Sequence, residues 1–186
     1  MSTITTYSQF TGAVGIANSD PSKAEGQQLQ NFIEKYENEF FDLFFGYEFK
    51  QLFLDGIDLM TAKYTAIRDG SEYTDAAGRL AKWEGLTGYS PVVNYIYFHL
   101  LNHKRTQTGN IGEVIPAVEN GQAVSPYHKQ IRAWNEMVGQ CWSLHEFLRL
   151  NEADYPEYFG LVASPYFPNP YNANYQLFQT INEFNI

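Results

Sequence analysis

Histidine and cysteine are the side chains with which this sequence could perform metal or nucleophilic chemistry. His99 and His103 stand four residues apart in a helical pattern, a spacing that places two imidazoles on one face of a helix. They lack the glutamate of an H-E-x-x-H motif, and no nearby cysteine or acidic residue supplies a third ligand. The pair therefore indicates a polar helix face. A small metal-dependent enzyme that uses both histidines is the alternative from another functional class.

The other reactive side chains also favour structural roles. Cys141 and His145 fall on an apolar helical seam. This position indicates that Cys141 is a small hydrophobic core residue and that His145 is a hydrogen-bonded core or interface histidine. His128 lies in the first turn of the same helix and is predicted to be exposed. The sequence contains no G-x-S-x-G elbow and no phosphate-binding glycine fingerprint. We therefore expect a non-enzymatic protein without a metal or cofactor.

Length and charge restrict the classes of function. A chain of 186 residues is long enough to bury the core of a single domain, and its one cysteine excludes an internal disulfide. Its 12 basic and 21 acidic residues give a net charge of −9, which disfavours binding to phosphate backbones. No stretch approaches the ~18 consecutive apolar residues of a membrane span. The N-terminal residues are polar, so no signal peptide is expected.

Two helical patterns with the same kind of start dominate the middle of the chain. The Ser-Pro pairs at 90–91 and 125–126 each combine a capping serine with a proline that has no N–H to leave unpaired. They predict helices over about 91–106 and 126–150 that pack as an antiparallel pair. The predicted seam of the second helix consists of Tyr127, Ile131, Trp134, Val138, Cys141, His145 and Leu148.

The preceding region predicts shorter elements. Apolar spacing indicates helices over about 23–37, 47–54 and 59–68, with a dense apolar turn that ends at Gly46. The polar and aromatic residues of 72–86 favour a small hairpin or loop. The residues predicted to face inward after the glycine are Phe49, Leu52 and Phe53.

The connection over residues 106–124 is longer than the packing of two helices requires. Its Asn120-Gly121 pair is typical of a hairpin turn, and Pro116 restricts any strand to an edge. The predicted fold is mainly α: a small helical bundle with a protruding loop or β-hairpin between the two longest helices, and extended N- and C-terminal arms.

The two ends differ in composition from the middle. Residues 1–23 are small and polar and predict an N-terminal arm, while 24–150 form the helical domain. Residues 151–186 are rich in aromatic side chains and prolines, which prevents a long helix and favours a C-terminal arm that packs on a surface. That surface is either its own domain or a neighbouring subunit, and both alternatives stay open.

Several short sequence motifs follow one another between about residues 38 and 150. They are Phe45-Gly-Tyr-Glu-Phe49, Lys82-Trp-Glu-Gly-Leu86, Thr106-Gln-Thr-Gly-Asn-Ile-Gly-Glu-Val114, Ala117-Val-Glu-Asn120, Val124-Ser-Pro-Tyr127 and Ile131-Arg-Ala-Trp-Asn-Glu-Met-Val138. In this order they resemble the family of small head–tail connector, or adaptor, proteins of tailed bacteriophages and prophages. Both arms lie outside the resemblance.

The resemblance implies an α-helical structural protein of the virion. Members of that family are expected to assemble as a ring, typically of twelve copies, below the portal protein in the head–tail neck. Such a ring extends the DNA channel, lets DNA pass without specific binding, and docks tail or neck proteins. The chain would be made in the host cytoplasm and would not contact a membrane. Another neck or tail component, such as a stopper or tail-completion protein, is the alternative within virion architecture.

The same resemblance suggests where partners would bind. We expect the connection between the long helices to contact an adjacent protein layer, and the C-terminal arm to contact a neighbouring subunit or the portal. The residues predicted to make these contacts are Ile111, Glu113, Val114, Asn120, Tyr166, Phe167, Tyr171, Tyr175 and Phe178.

Overall fold

The computed structural model describes residues 4–16, 19–105, 107–109, 112–114, 127–161 and 180–181. Its elements in chain order are α1 Ala24–Asp58, α2 Ala62–Asp69, β1 Ser71–Thr74, β2 Leu80–Trp83, α3 Pro91–Arg105, β3 Gln107–Gly109, β4 Gly112–Val114, α4 Tyr127–Leu150 and α5 Pro156–Leu161. Two short 3₁₀ turns, Tyr7–Gln9 and Gly12–Val14, precede α1. The chain is mainly helical, which confirms the predicted class of a small helical bundle with a hairpin.

Helix α1 is longer than the sequence pattern predicted. Separate helices were predicted over 23–37 and 47–54, but helical geometry continues through the phenylalanine-rich segment between them. The helix is interrupted at Gly46, whose φ of 74° and ψ of 161° lie in a region essentially restricted to glycine. With 35 residues, α1 is longer than α3 or α4, so the predicted hairpin does not join the two longest helices.

Phenylalanines spaced by four residues form an aromatic row along α1. Phe45 lies before the break and Phe49 after it, and their ring centroids are 5.2 Å apart. Tyr158 of α5 packs edge-on against Phe49 at 5.2 Å. Phe49 and Phe53 are buried as predicted, but Leu52 is 40% exposed, because the break leaves it one position away from the buried face. The buried row consists of Phe40, Phe41, Phe44, Phe45, Phe49 and Phe53.

Helices α3 and α4 form the predicted antiparallel pair. Near the start of α3, the Asn94 amide donates to the Gln140 side-chain oxygen at 2.9 Å. Further along α3, Phe98 packs against Trp134, which precedes Gln140 in α4, at 4.9 Å between ring centroids. The reversed order establishes the antiparallel direction. Ser90 caps α3 as expected, since its hydroxyl accepts the Val93 N–H at 3.3 Å.

The buried face of α4 is wider than the predicted seam. Three residues of the seam, Tyr127, Trp134 and His145, are only half-buried, so the strict 3.5-residue seam is wrong at these positions. The physical reason is that α4 packs against β1 and β2 as well as against α3, and Tyr73 of β1 contacts Phe147 at 5.5 Å between ring centroids. The buried residues of α4 are Gln130, Ile131, Ala133, Met137, Val138, Cys141, Leu144, Phe147 and Leu148.

Both hairpins pair antiparallel strands. In the β1–β2 hairpin, Ser71 lies opposite Trp83, whose indole donates to the Ile67 carbonyl at 2.7 Å. This confirms the hairpin predicted over 72–86. The β3–β4 hairpin lies between α3 and α4, as predicted for the connection. It precedes Asn120-Gly121, the pair that predicted a turn, and that pair lies outside the described residues.

The described N-terminal residues are packed on the domain rather than extended from it. Phe10 and Val14 are buried in the core. The Glu37 carboxylate of α1 accepts the backbone N–H groups of Ile4 at 3.1 Å and Thr5 at 2.6 Å. The expectation of an extended N-terminal arm is therefore wrong over residues 4–16, because two apolar side chains and a buried carboxylate hold this polar segment.

The packed body continues beyond residue 150, where the helical domain was predicted to end. Tyr155 and Tyr158 are buried among core side chains. The Tyr155 hydroxyl donates to the Lys63 carbonyl at 2.7 Å, and the Lys63 ammonium pairs with Glu157 at 2.8 Å. These contacts attach α5 to the start of α2.

Replacing two glycines by alanine tests the break in α1. Gly46→Ala should lower the free energy of unfolding by about 1–3 kcal/mol, because an L side chain is strained at its positive φ. Gly139→Ala is the matched control: it lies in α4 with open space around a Cβ, and should raise the free energy of unfolding by about 0.5–1 kcal/mol. Urea unfolding followed by circular dichroism measures both, and equal effects would contradict the assignment.

Candidate functional site

The β3–β4 hairpin contains the predicted partner-contact residues that the structure describes. Val114 lies opposite Gln107, and Glu113 lies opposite Thr108, in a ladder that directly follows α3. The hairpin therefore extends from one end of the helical pair. The remaining predicted contact residues lie outside the described part of the chain; they are Ile111, Asn120, Tyr166, Phe167, Tyr171, Tyr175 and Phe178.

His99 is half-buried between α1 and α3. Its ring stacks on Tyr36 at 4.1 Å between centroids, with an angle of 11° between the planes. Its Nε2 atom is buried and has no hydrogen-bond partner. Burial lowers the pKa of His99; the positive charge of Lys35 lowers it further, and the negative charge of Glu39 opposes this. The neutral imidazole is therefore the form that this packing favours.

His103 occupies a different environment from His99. It is exposed, and its ring lies 5.3 Å from that of Phe32. Across the described residues, no group of three or more histidine, cysteine, aspartate or glutamate side chains is arranged to hold a metal ion. The two histidines thus make separate aromatic contacts with α1.

The buried residues of α4 with reactive groups are engaged in packing. Cys141 is buried, and this burial raises the pKa of its thiol well above the usual range. Nδ1 of His145 lies 3.4 Å from the Tyr158 hydroxyl, the kind of hydrogen-bonded histidine expected from the sequence. Burial lowers the pKa of His145, and the Arg149 charge acts in the same direction. His128 is exposed, as predicted.

Several large apolar side chains are exposed on the surface. Tyr47 directly follows the break in α1 and is 71% exposed, and Leu80 begins β2 with 75% exposure. Leu59 and Met60, in the turn between α1 and α2, are 79% and 82% exposed. The sequence predicted that this helix begins near Leu59, but α2 begins at Ala62. The reason is that Met60 adopts a φ of 52°, which interrupts the helix.

A cleft of about 500 Å³ lies between the N-terminal 3₁₀ turns and the loop before α3. Gln9 crosses one side of it, with its amide donating to the Thr87 carbonyl at 2.5 Å. Arg132 lines another side, and its guanidinium is paired with Glu136 at 2.7 Å. Glu136 also accepts the Tyr89 hydroxyl. The one cationic group of this cleft is therefore already engaged by a carboxylate.

Sequence reasoning did not identify a contact between α4 and the C-terminal residues. The Asn135 side chain donates to the Ile181 carbonyl at 3.0 Å and accepts the Ile181 N–H at 2.7 Å. A surface asparagine within a helix carries no pattern that signals such a contact, since its partner is 46 residues away. This is the one place among the described residues where a side chain binds both backbone groups of a single residue in a separate segment.

Comparisons with known proteins do not assign the chain to a family. The sequence matches no protein-family model, and searches of curated proteins and of solved structures give no match. Among the helices of the described residues, none combines the length and the apolar character needed to cross a membrane.

The environment of His99 predicts a pH dependence of stability. Its pKa is lowered in the folded chain, whereas an unfolded histidine titrates near ~6.5. The unfolded state therefore binds more protons below about pH 6.5, and the free energy of unfolding falls as the pH decreases through that value. His99→Phe keeps a ring against Tyr36 and removes the titrating group, so its unfolding free energy should depend less on pH.

Urea unfolding of both proteins between pH 7.5 and 5.5 measures this difference. His145 is present in both chains, so its own titration contributes equally to the two curves. At pH 7.5 the variant should be at least as stable, because the substitution removes a buried nitrogen without a partner. A variant that loses as much stability on acidification as the wild type would contradict the interpretation.

Proposed function

We propose that this chain is a structural subunit of a tailed-phage virion, a head–tail connector (adaptor) protein that forms a ring below the portal. The ring lengthens the DNA channel of the neck and presents a docking surface to tail components. In this role the chain performs no catalysis. Three of its histidines, His99, His103 and His145, contact Tyr36, Phe32 and Tyr158, and Cys141 is buried, which supports packing roles for these side chains.

The observation that carries the proposal is the hairpin between α3 and α4. The residues that resemble connector proteins most continuously, from 106 to 114, include both of its strands. The two helices pack against each other without needing so long a connection, as the Asn94–Gln140 and Phe98–Trp134 contacts illustrate. A strand pair at the end of a rigid helical pair supports a role in contacting another protein layer.

Surface chemistry supports the same role. A ring requires head-to-tail contacts in which two different surfaces of each subunit meet. Tyr47, Leu59 and Met60 around α1, and Leu80 on the β1–β2 hairpin, supply exposed apolar side chains on separate elements. The net charge of −9 suits a channel component, because DNA adheres more strongly with each phosphate that a protein neutralises.

Deleting residues 109–121 tests the proposal. We expect the purified variant to keep the helical signal and thermal unfolding of the wild type, because the helices, the 3₁₀ turns and the β1–β2 hairpin already supply a core within the described residues. It should still sediment with the portal protein but fail to complete particles that join tails. The measurements are co-sedimentation with purified portal, and electron microscopy and infectivity of a phage carrying the deletion.

A second variant separates length from sequence in this experiment. Replacing residues 109–121 by a Gly/Ser segment of equal length keeps the spacing between α3 and α4 and removes the side chains. Both variants should give tailless heads. Particles of either variant that fill, join tails and infect normally would contradict a docking role for the connection, and binding to the tail tube in place of the portal would identify a different neck or tail component.

A further inference from the structure

The Asn135 side chain binds a single residue of the C-terminal segment at two points. Its amide nitrogen donates to the Ile181 carbonyl at 3.0 Å, and its amide oxygen accepts the Ile181 N–H at 2.7 Å. Asn135 and Ile181 are both half-buried, so water competes only partly for these groups. The contact joins α4 to a residue that lies 46 positions later in the chain.

This geometry recognises extended backbone. A primary amide offers one acceptor and donors on a neighbouring atom, so it can satisfy the N–H and the C=O of one residue at once. Neighbouring strands of a sheet exchange the same two bonds in a hydrogen-bonded pair. The Asn135 side chain therefore offers the same donor and acceptor as one residue at the edge of a β-sheet. These two bonds recognise the peptide backbone and do not depend on a particular side chain.

The length of chain between α5 and Thr180 allows the contact to form between copies. Residues 162–179 separate Leu161 from Thr180, and a chain of this length spans up to about 60 Å when extended. A body of this size measures about 40 Å across on globular scaling. Ile181 of one copy can therefore reach Asn135 of a copy beside it.

We propose that Asn135 is a receptor for the backbone N–H and C=O groups of Ile181, and that copies exchange this contact when they assemble. In the isolated chain the segment docks on its own α4; in a ring it docks on Asn135 of the next copy. Exchange of an identical contact between subunits forms an interface without any new surface. The inference rests on the ring assembly proposed above, and it names the site at which neighbouring copies join.

Two single variants separate the receptor from its ligand. Asn135→Leu keeps a side chain of similar size and removes both hydrogen-bonding groups, so this chain has a C-terminal segment but no receptor. Ile181→Pro removes the N–H that Asn135 accepts, so this chain has a receptor but no competent segment. Neither variant can form the contact within itself, so a mixture of the two can form it only between chains.

Nuclear magnetic resonance detects this exchange even when it is weak. The ¹⁵N-labelled Ile181→Pro chain is titrated with the unlabelled Asn135→Leu chain, and the Asn135 side-chain amide signals are followed. They are assigned by their loss from a labelled Asn135→Leu spectrum. We expect these signals to shift with added chain and to saturate. The matched control is the unlabelled Asn135→Leu/Ile181→Pro double variant, which should leave them unmoved.

An unmoved Asn135 signal at the highest concentration of the Asn135→Leu chain, with both variants folded by circular dichroism, would overturn the proposal. Equal shifts with the single and the double variant would overturn it too, because the Ile181 N–H would then be irrelevant. The connector function is tested separately by co-sedimentation of the wild type with portal. Portal binding without exchange would contradict only the proposed role of Asn135. Exchange without portal binding would contradict only the connector function.

Discussion

The aromatic row along α1 is the contact on which the rest of the body depends. Phe45 and Phe49 touch across the interruption at Gly46, so the two parts of the helix share one buried face despite the break. Tyr158 from α5 and Tyr64 from α2 close over this face. Each fully buried aromatic side chain contributes roughly 1.5–3 kcal/mol by transfer from water, so the six rings of the row together make a large contribution to stability.

An ion pair joins the two parts of α1 across the same break. The Lys50 ammonium reaches back to Asp42 at 2.9 Å, although Lys50 is almost fully buried and Asp42 is half-exposed. Burying a lysine without a partner is costly. Lys50 and Asp42 lie on either side of Gly46, so their pairing depends on the turn that this glycine permits. Local backbone geometry, aromatic packing and charge pairing thus depend on one another at a single glycine.

Buried titratable groups attach one segment to another. Glu37 illustrates the balance of forces: burial raises the pKa of its carboxyl, while the N–H groups of Thr5 and Ile4 act in the opposite direction. Burial is the larger effect, so the pKa of Glu37 is raised, and its two oxygens hold the N-terminal segment against α1 by accepting these N–H groups. Tyr95 donates to Glu39 at 2.6 Å, and burial and that bond both raise the pKa of the phenol. At Glu37 and Tyr95 the polar side-chain groups thus join one segment of the chain to another.

The sequence predicted those features whose causes are local. The start of α3 follows from Ser90 and Pro91, and the β1–β2 hairpin from the polar and aromatic residues of 72–86, which act within a few positions. The failures have distant causes. The outward position of Leu52 depends on how the break rotates the second part of α1, and the buried N-terminal segment depends on a carboxylate 32 residues away from Thr5. Periodicity carries no information about such partners.

The relative strengths of these contacts distinguish those that the fold requires from those that can break while the chain stays folded. The six phenylalanines of the α1 row together contribute several times the net stabilisation of a few hydrogen bonds, and losing them would unfold the body. The two bonds between Asn135 and Ile181 contribute together about 1–3 kcal/mol net. A contact of this size can be broken without unfolding α4 and can be formed again with an identical partner. Because the fold does not depend on it, this contact is free to serve assembly.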